Sequence, residues 1–236
     1  ANIDALRLTL LHCFNLLEFG EFNQAIALAK QGESNARQFK YDTARPYFMQ
    51  CQAAAHQSLG NTLQEQQLTE EALRLAKRYS EKQAIVNSLY ARSRQNTSLE
   101  NYNTAIEDLR FALDIFDEAQ TQFQDWYILP KSYLQAEISN VFFSMGDIEE
   151  ALHFAELTYK DSSTFGKLKF AFAINLARIN MVQNDKAQVL YYLNKAETEN
   201  NKNTSERDFA TGNALLASIH LYVGDYNIAE KLALSS

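Results

Sequence analysis

The chain has 236 residues, 46% of them hydrophobic, and 22 basic against 29 acidic side chains give it a net charge of -7. That charge repels phosphate backbones and argues against nucleic-acid binding, while 7 Gly and 2 Pro are too few for an all-β chain with many tight turns. No run of about 18 apolar residues is present, so no segment is expected to span or insert into a membrane.

A first helical run ends at Gly20-Glu21-Phe22, and a second begins at once, with Ala25 shortly after the break. The same punctuation returns at Gly146-Asp147-Ile148 before Ala151 and at Gly224-Asp225-Tyr226 before Ala229. Weaker copies stand at Gly60-Asn61, Glu100-Asn101-Tyr102 and Asn184-Asp185. The anchors at 20, 60, 100, 146, 184 and 224 are therefore 40, 40, 46, 38 and 40 residues apart. A fixed period of this size predicts stacked helical hairpins rather than a compact globule.

Side-chain size follows the same register. Seven residues before the anchors come Cys13, Ala53, Ser93, Ser139, Ala177 and Ala217; twelve after them come Gly32, Ala72, Ala112, Thr158, Ala196 and Ser236. Small residues in two fixed columns let the two helices of a hairpin approach closely. Each unit reads as helix A, a tight turn at the anchor, helix B of a similar ~15 to 18 residues, and a looser return. Pro46 and Pro130 mark the starts of the second and fourth A helices, because proline fits the first helical turn. The expected repeats are 3-42, 43-80, 81-122, 126-164, 166-202 and 204-236 within one domain, the last of them truncated.

Three stretches break the pattern. The third interval is longer by six residues near 117–130, which holds the only tryptophan, Trp126. It is expected either to cap a longer helix B or to form a lip over a groove. The polar stretch 197–207 reads as the loop before the sixth repeat, with Thr204 or Ser205 capping the next helix. At the end of the chain, Leu232, Ala233 and Leu234 would be left half-covered, since terminal repeats normally need a polar outer face. The expectation is that the natural protein continues beyond Ser236, or that this end forms a homodimer.

Gly146-Asp147-Ile148-Glu149-Glu150-Ala151-Leu152 and Gly224-Asp225-Tyr226-Asn227-Ile228-Ala229 resemble the inter-helix turn of tetratricopeptide repeats. The two small columns are similar to that family's small positions, over essentially the whole chain. The unit is longer than the family's usual one, and the aromatic near the start of helix A is replaced by Thr9, Met49, Leu89, Gln135, Ala173 and Asn213. In this it looks more like the long-helix repeats of bacterial signalling proteins. The resemblance implies an all-α, right-handed superhelical solenoid of about six antiparallel helix pairs, whose concave face holds a peptide or protein segment.

Carried onto this chain, the family's groove positions are Asn87, Tyr90 and Arg94, then Tyr133, Glu137 and Asn140, then Asn175 and Arg178. Amides can both donate to and accept from a peptide backbone. Guanidinium groups clamp carboxylates, and aromatic faces hold apolar anchors. The alternative for this set is an ordinary solvated inner face. No cofactor, metal site or catalytic group is expected. The histidines lack ligand spacing, no Gly-rich phosphate loop or nucleophile elbow is present, and acidic pairs such as Glu149-Glu150 suit helix first turns. Cys13 and Cys51 make no disulfide framework and read as small apolar residues.

The function expected is a peptide- or protein-binding sensory region of a bacterial signalling protein, with a diguanylate-cyclase or kinase-type output domain beyond Ser236. The alternatives are a constitutive assembly scaffold and a stand-alone cytoplasmic peptide-pheromone receptor. The sequence leaves the compartment, cytoplasm or periplasm, open.

Overall fold

The computed structural model describes residues 3–119, 129–161, 166–200 and 206–235. They form twelve α-helices and no strand. The helices are α1 (Ile3–Glu18), α2 (Phe22–Gln38), α3 (Arg45–Ser58), α4 (Thr62–Arg78), α5 (Lys82–Ser98), α6 (Tyr102–Ala119), α7 (Lys131–Met145), α8 (Ile148–Asp161), α9 (Gly166–Val182), α10 (Lys186–Asn200), α11 (Glu206–Val223) and α12 (Tyr226–Ala233). A single 3₁₀ turn, Asp42–Ala44, leads into α3, whose second residue is Pro46. The chain divides within α7 into two compact units, Ala1–Leu134 and Gln135–Ser236.

Every one of the six anchors sits in the left-handed region: Gly20, Gly60, Glu100, Gly146, Asn184 and Gly224 have φ of 76°, 73°, 61°, 81°, 60° and 99°. At each, two backbone hydrogen bonds close the preceding helix. In the first, Gly20 N–H donates to Leu17 O at 3.1 Å and Glu21 N–H to Leu16 O at 2.8 Å. This is the Schellman pattern, which satisfies carbonyls that a helix end otherwise leaves open. The next residue starts the following helix, since its carbonyl accepts from four residues on: Ala25 N–H to Glu21 O, and likewise Ala105 to Asn101 and Ala229 to Asp225. Asp147 and Asp185 add side-chain caps, accepting from Glu150 N–H at 3.3 Å and Gln188 N–H at 3.1 Å.

The looser return between hairpins, expected from the sequence, is corrected for the first two returns. Lys40 (φ 61°) and Ser80 (φ 55°) are also left-handed, with the same pair of bonds: Lys40 N–H to Arg37 O and Tyr41 N–H to Ala36 O, then Ser80 to Lys77 and Glu81 to Ala76. Left-handed residues thus fall at 20, 40, 60, 80 and 100, and the local period there is one helix and one turn.

In the first unit successive helices pack as hairpins, and the odd-numbered helices also meet one another, α1 on α3 and α3 on α5. That explains two burial patterns. The even helix α2 buries one stripe of small residues, Ala25, Ala29, Gly32 and Ala36, at helical spacing. The odd helix α5 lies between neighbours and buries Ala84, Ile85, Val86, Ser88, Leu89 and Ser93 on several sides. In the second unit α9 likewise meets α8, α10 and α11. Its Phe170, Ile174 and Ala177 form a core with Val189, Leu193, Leu216 and Ile219. Both small columns are buried wherever the structure describes them; Ser236 lies outside the described residues, as do Trp126, Thr204 and Ser205.

Candidate functional site

In the first unit, α3 and α5 present matched stripes to a common groove: Gln50, Ala53, Ala54 and Gln57 on one side, Asn87, Tyr90, Ala91 and Arg94 on the other. Each stripe steps by three, one and three residues, which keeps it on one helix face. Phe14 of α1, Glu65 and Thr69 of α4, and Leu129 complete the lining, around a volume of about 180 Å³. Ala53 and Ala54 on one side and Ala91 on the other are what keep this space open between helices that otherwise touch.

The stripes are tied by a ladder of long-range hydrogen bonds. Asn87 Nδ2 donates to Gln50 Oε1 at 3.5 Å, and Arg94 Nη1 to Gln57 Oε1 at 3.5 Å. Gln50 Nε2 is held harder, donating at 2.8 Å to both Ala84 O and Ser88 Oγ. Arg94 also lies over the Tyr90 ring, 5.9 Å from its centroid, and Tyr90 meets Tyr133 edge-on at 6.4 Å. Arg94 remains exposed, while Asn87, Tyr90 and Tyr133 are half-buried. The expected residues Asn87, Tyr90 and Arg94 therefore share one groove, and Tyr133 supports its aromatic wall.

The other four lie in the second unit. Asn140 Nδ2 donates to Glu137 Oε2 at 3.5 Å. Asn175 Nδ2 donates to Ser139 Oγ at 3.3 Å, and that hydroxyl donates to Ala151 O at 2.7 Å. The Arg178 guanidinium lies 5.6 Å from the centroid of Phe143. Glu137 is buried and Asn140 is exposed.

Gln50, Gln57 and Glu65 line the groove without being among the positions expected from the sequence. The glutamines stand opposite Asn87 and Arg94 on the neighbouring odd helix. Glu65 carried a plainer signal, because it interrupts a column that reads Ala25, Ala105, Ala151, Val189 and Ala229 in the other repeats. Beside the groove, Cys13 and Cys51 are buried free thiols hydrogen-bonded to each other between α1 and α3. That shared bond, followed by burial, pushes the Cys51 thiol up. Among the described residues, no group of three or more His, Cys, Asp or Glu is placed to hold a metal ion, and no helix is long and apolar enough to cross a membrane.

No model of a known protein family matches the chain, and none of the curated proteins compared with it matches. Solved structures do. The apo form of RapI aligns with a TM-score of 0.72 at 12% identity, over 100% of this chain and 83% of RapI. A Rap protein complexed with Competence and Sporulation Factor aligns with a TM-score of 0.65 at 14% identity, over 99% of this chain and 66% of that protein. The TPR-like repeats of a putative kinesin light chain from Podosopora anserina align with a TM-score of 0.59 at 15% identity, covering 84% and 96%. At such identities the likeness is one of fold: this chain is built as tetratricopeptide-like helical repeats.

Proposed function

We propose that the chain is a peptide- or protein-binding module and that the α3–α5 groove holds an extended segment of its ligand. The observation that carries this reading is the pair of facing stripes, Gln50/Gln57 and Asn87/Arg94, flanking three alanines and Tyr90. Three amides offer donors and acceptors that match a peptide backbone. Arg94 offers a fork for a carboxylate, and Tyr90 a face for an apolar side chain. The volume, about 180 Å³, falls below the roughly 300–1,000 Å³ of small-molecule pockets. It suits one anchoring side chain of a longer ligand better than a cofactor. A fold shared with a Rap protein complexed with Competence and Sporulation Factor supports the same reading. Glu137, Asn140, Asn175 and Arg178 are the corresponding contacts we assign to the second unit.

By analogy of fold alone, the module is the sensory region of a bacterial signalling protein, with a diguanylate-cyclase or kinase-type output domain. The test is affinity capture from native lysate, with the parent chain beside an Asn87→Ala/Arg94→Ala variant of equal helical circular dichroism. A partner held by the parent and lost by the variant supports the groove; equal capture by both contradicts it. A second reading, an assembly scaffold, is favoured by the apolar surface of α12 and the residue after it. There Tyr226, Ile228 and Leu234 are 68%, 46% and 83% exposed. It predicts self-association that disappears in Ile228→Asp/Leu234→Asp, and a strictly monomeric parent at high concentration would rule out pairing through this surface.

A further inference from the structure

We infer that Glu65 makes the groove of the first unit selective for a cationic side chain, arginine or lysine, of the bound peptide segment. The inference rests on the groove being a peptide site and adds the chemistry of what enters it.

Position 65 is the fifth after its turn. The equivalent positions in the other repeats hold Ala25, Ala105, Ala151, Val189 and Ala229, all buried and apolar. Glu65 occupies that inner position at 8% exposure and lines the groove. Its backbone is ordinary helix, with the N–H donating to Asn61 O at 3.1 Å. Its carboxylate is not ordinary: among the described residues no hydrogen bond or ion pair reaches it. Neither obvious internal candidate supplies one. Arg94, on the same groove, directs its guanidinium to Gln57 Oε1 and the Tyr90 ring. Thr69, one turn along α4, accepts from Gln95 Nε2 at 3.0 Å.

Glu65 is largely buried as a residue, and a carboxylate that loses part of its hydration without gaining a partner is costly. A position that takes alanine in four other repeats does not require one for folding. The missing partner is therefore supplied from the groove that the residue lines. A guanidinium or ammonium entering there would pair with Glu65, and the amide oxygens of Gln50 and Asn87 line the same space as further acceptors. One such side chain is also what the groove's volume admits.

The test uses the whole chain and two fluorescein-labelled degenerate octapeptide pools, identical except for a fixed central arginine or its neutral isostere citrulline. The parent should retain the arginine pool about tenfold or more over the citrulline pool, as a charge-assisted pair requires. Glu65→Gln should abolish that preference. The variant keeps nearly all of the chain's net charge of -7, so loss of discrimination isolates the local carboxylate from long-range attraction. Glu65→Ala should melt at or above the parent's temperature. Equal retention of both pools by the parent, or a preference that survives Glu65→Gln, would overturn the inference and leave the groove as a peptide site. Retention of neither pool would overturn the groove reading as well. A melting temperature clearly lowered by Glu65→Ala would give the carboxylate a structural role instead.

Discussion

Phe48 of α3 lays its ring so close over Gly32 of α2 that a Cβ on Gly32 would overlap three of the ring's carbons. Gly32 belongs to the small column twelve residues after each turn, and Phe48 is fully buried, so the ring has nowhere to swing. Two effects oppose each other in Gly32→Ala. Alanine is the better helix former by about 1 kcal/mol, and overpacking a closed core costs about 1–3 kcal/mol. Overpacking should win, with a net loss of about 1–2 kcal/mol in urea unfolding. Trimming the ring with Phe48→Leu should recover part of that loss in the double variant. A Gly32→Ala variant as stable as the parent would contradict the packing described.

Arg92 of α5 grips Asp108 of α6 through two hydrogen bonds, Nε to Oδ2 at 2.8 Å and Nη2 to Oδ1 at 2.6 Å, and reaches Glu70 of α4 at 3.4 Å. The hydrogen bond to Asp108 holds the guanidinium above its ordinary pKa. Asp108 is 6% exposed, so Arg92→Ala would strand a buried carboxylate, at a cost of about 3 kcal/mol. Asp108→Ala should cost less, because Arg92 retains Glu70 and partial access to water. Chemical denaturation of both variants gives the comparison, and near-equal, sub-kilocalorie effects would show the pair to be a surface contact.

Backbone strain at the turns gives a third expectation. A Cβ at Gly60 would meet nothing within 4 Å, so Gly60→Ala should cost only the left-handed conformation, about 1 kcal/mol. Glu100 holds the same conformation with a side chain, at φ 61°. Glu100→Gly should gain about 0.5 kcal/mol, the strain relieved less the entropy a glycine loses on folding. Urea midpoints that move the same way in both variants would contradict this account.

These turns also show what the sequence revealed and what it hid. The six anchors were legible because glycine, or asparagine in one case, stands at five of them, and those residues adopt the left-handed conformation most readily. Lys40 and Ser80 carry no such mark, and only their hydrogen bonds give them away. In the groove, Asn87, Tyr90 and Arg94 were legible only through the resemblance, whose groove positions fall on them. Gln50 and Gln57 were not, because only packing decides which residues of α3 face α5. Glu65 was visible as an acid in an alanine column, but a single charge on a helix usually points to water, and only burial distinguishes this one.

Tyr47 donates to Glu81 Oε2 at 3.4 Å. Burial raises the Glu81 carboxyl above its ordinary 4.5, opposed by that hydrogen bond. A raised carboxylate binds its proton more tightly in the folded chain, so the stability it contributes is fully present below 4.5 and is lost as pH rises through the folded value. Glu81→Gln, which keeps an oxygen for Tyr47, should therefore be the more stable protein at pH 7 and lose that advantage at pH 4. Melting curves at the two pH values decide it; an advantage that grows on acidification would reverse the sign and contradict the burial argument.

The central claim is that the α3–α5 groove holds the ligand, and photo-crosslinking from its rim tests it most directly. p-Benzoylphenylalanine at Gln57, which is exposed and lines the groove, would be illuminated with the arginine-centred octapeptide pool. The control places the same group at Lys77, exposed on α4 and away from the lining. The account predicts a covalent adduct at position 57 that Tyr90→Ala/Arg94→Ala reduces strongly, with little at position 77. Equal labelling at the two positions, or labelling at 57 that the double variant leaves unchanged, would contradict it.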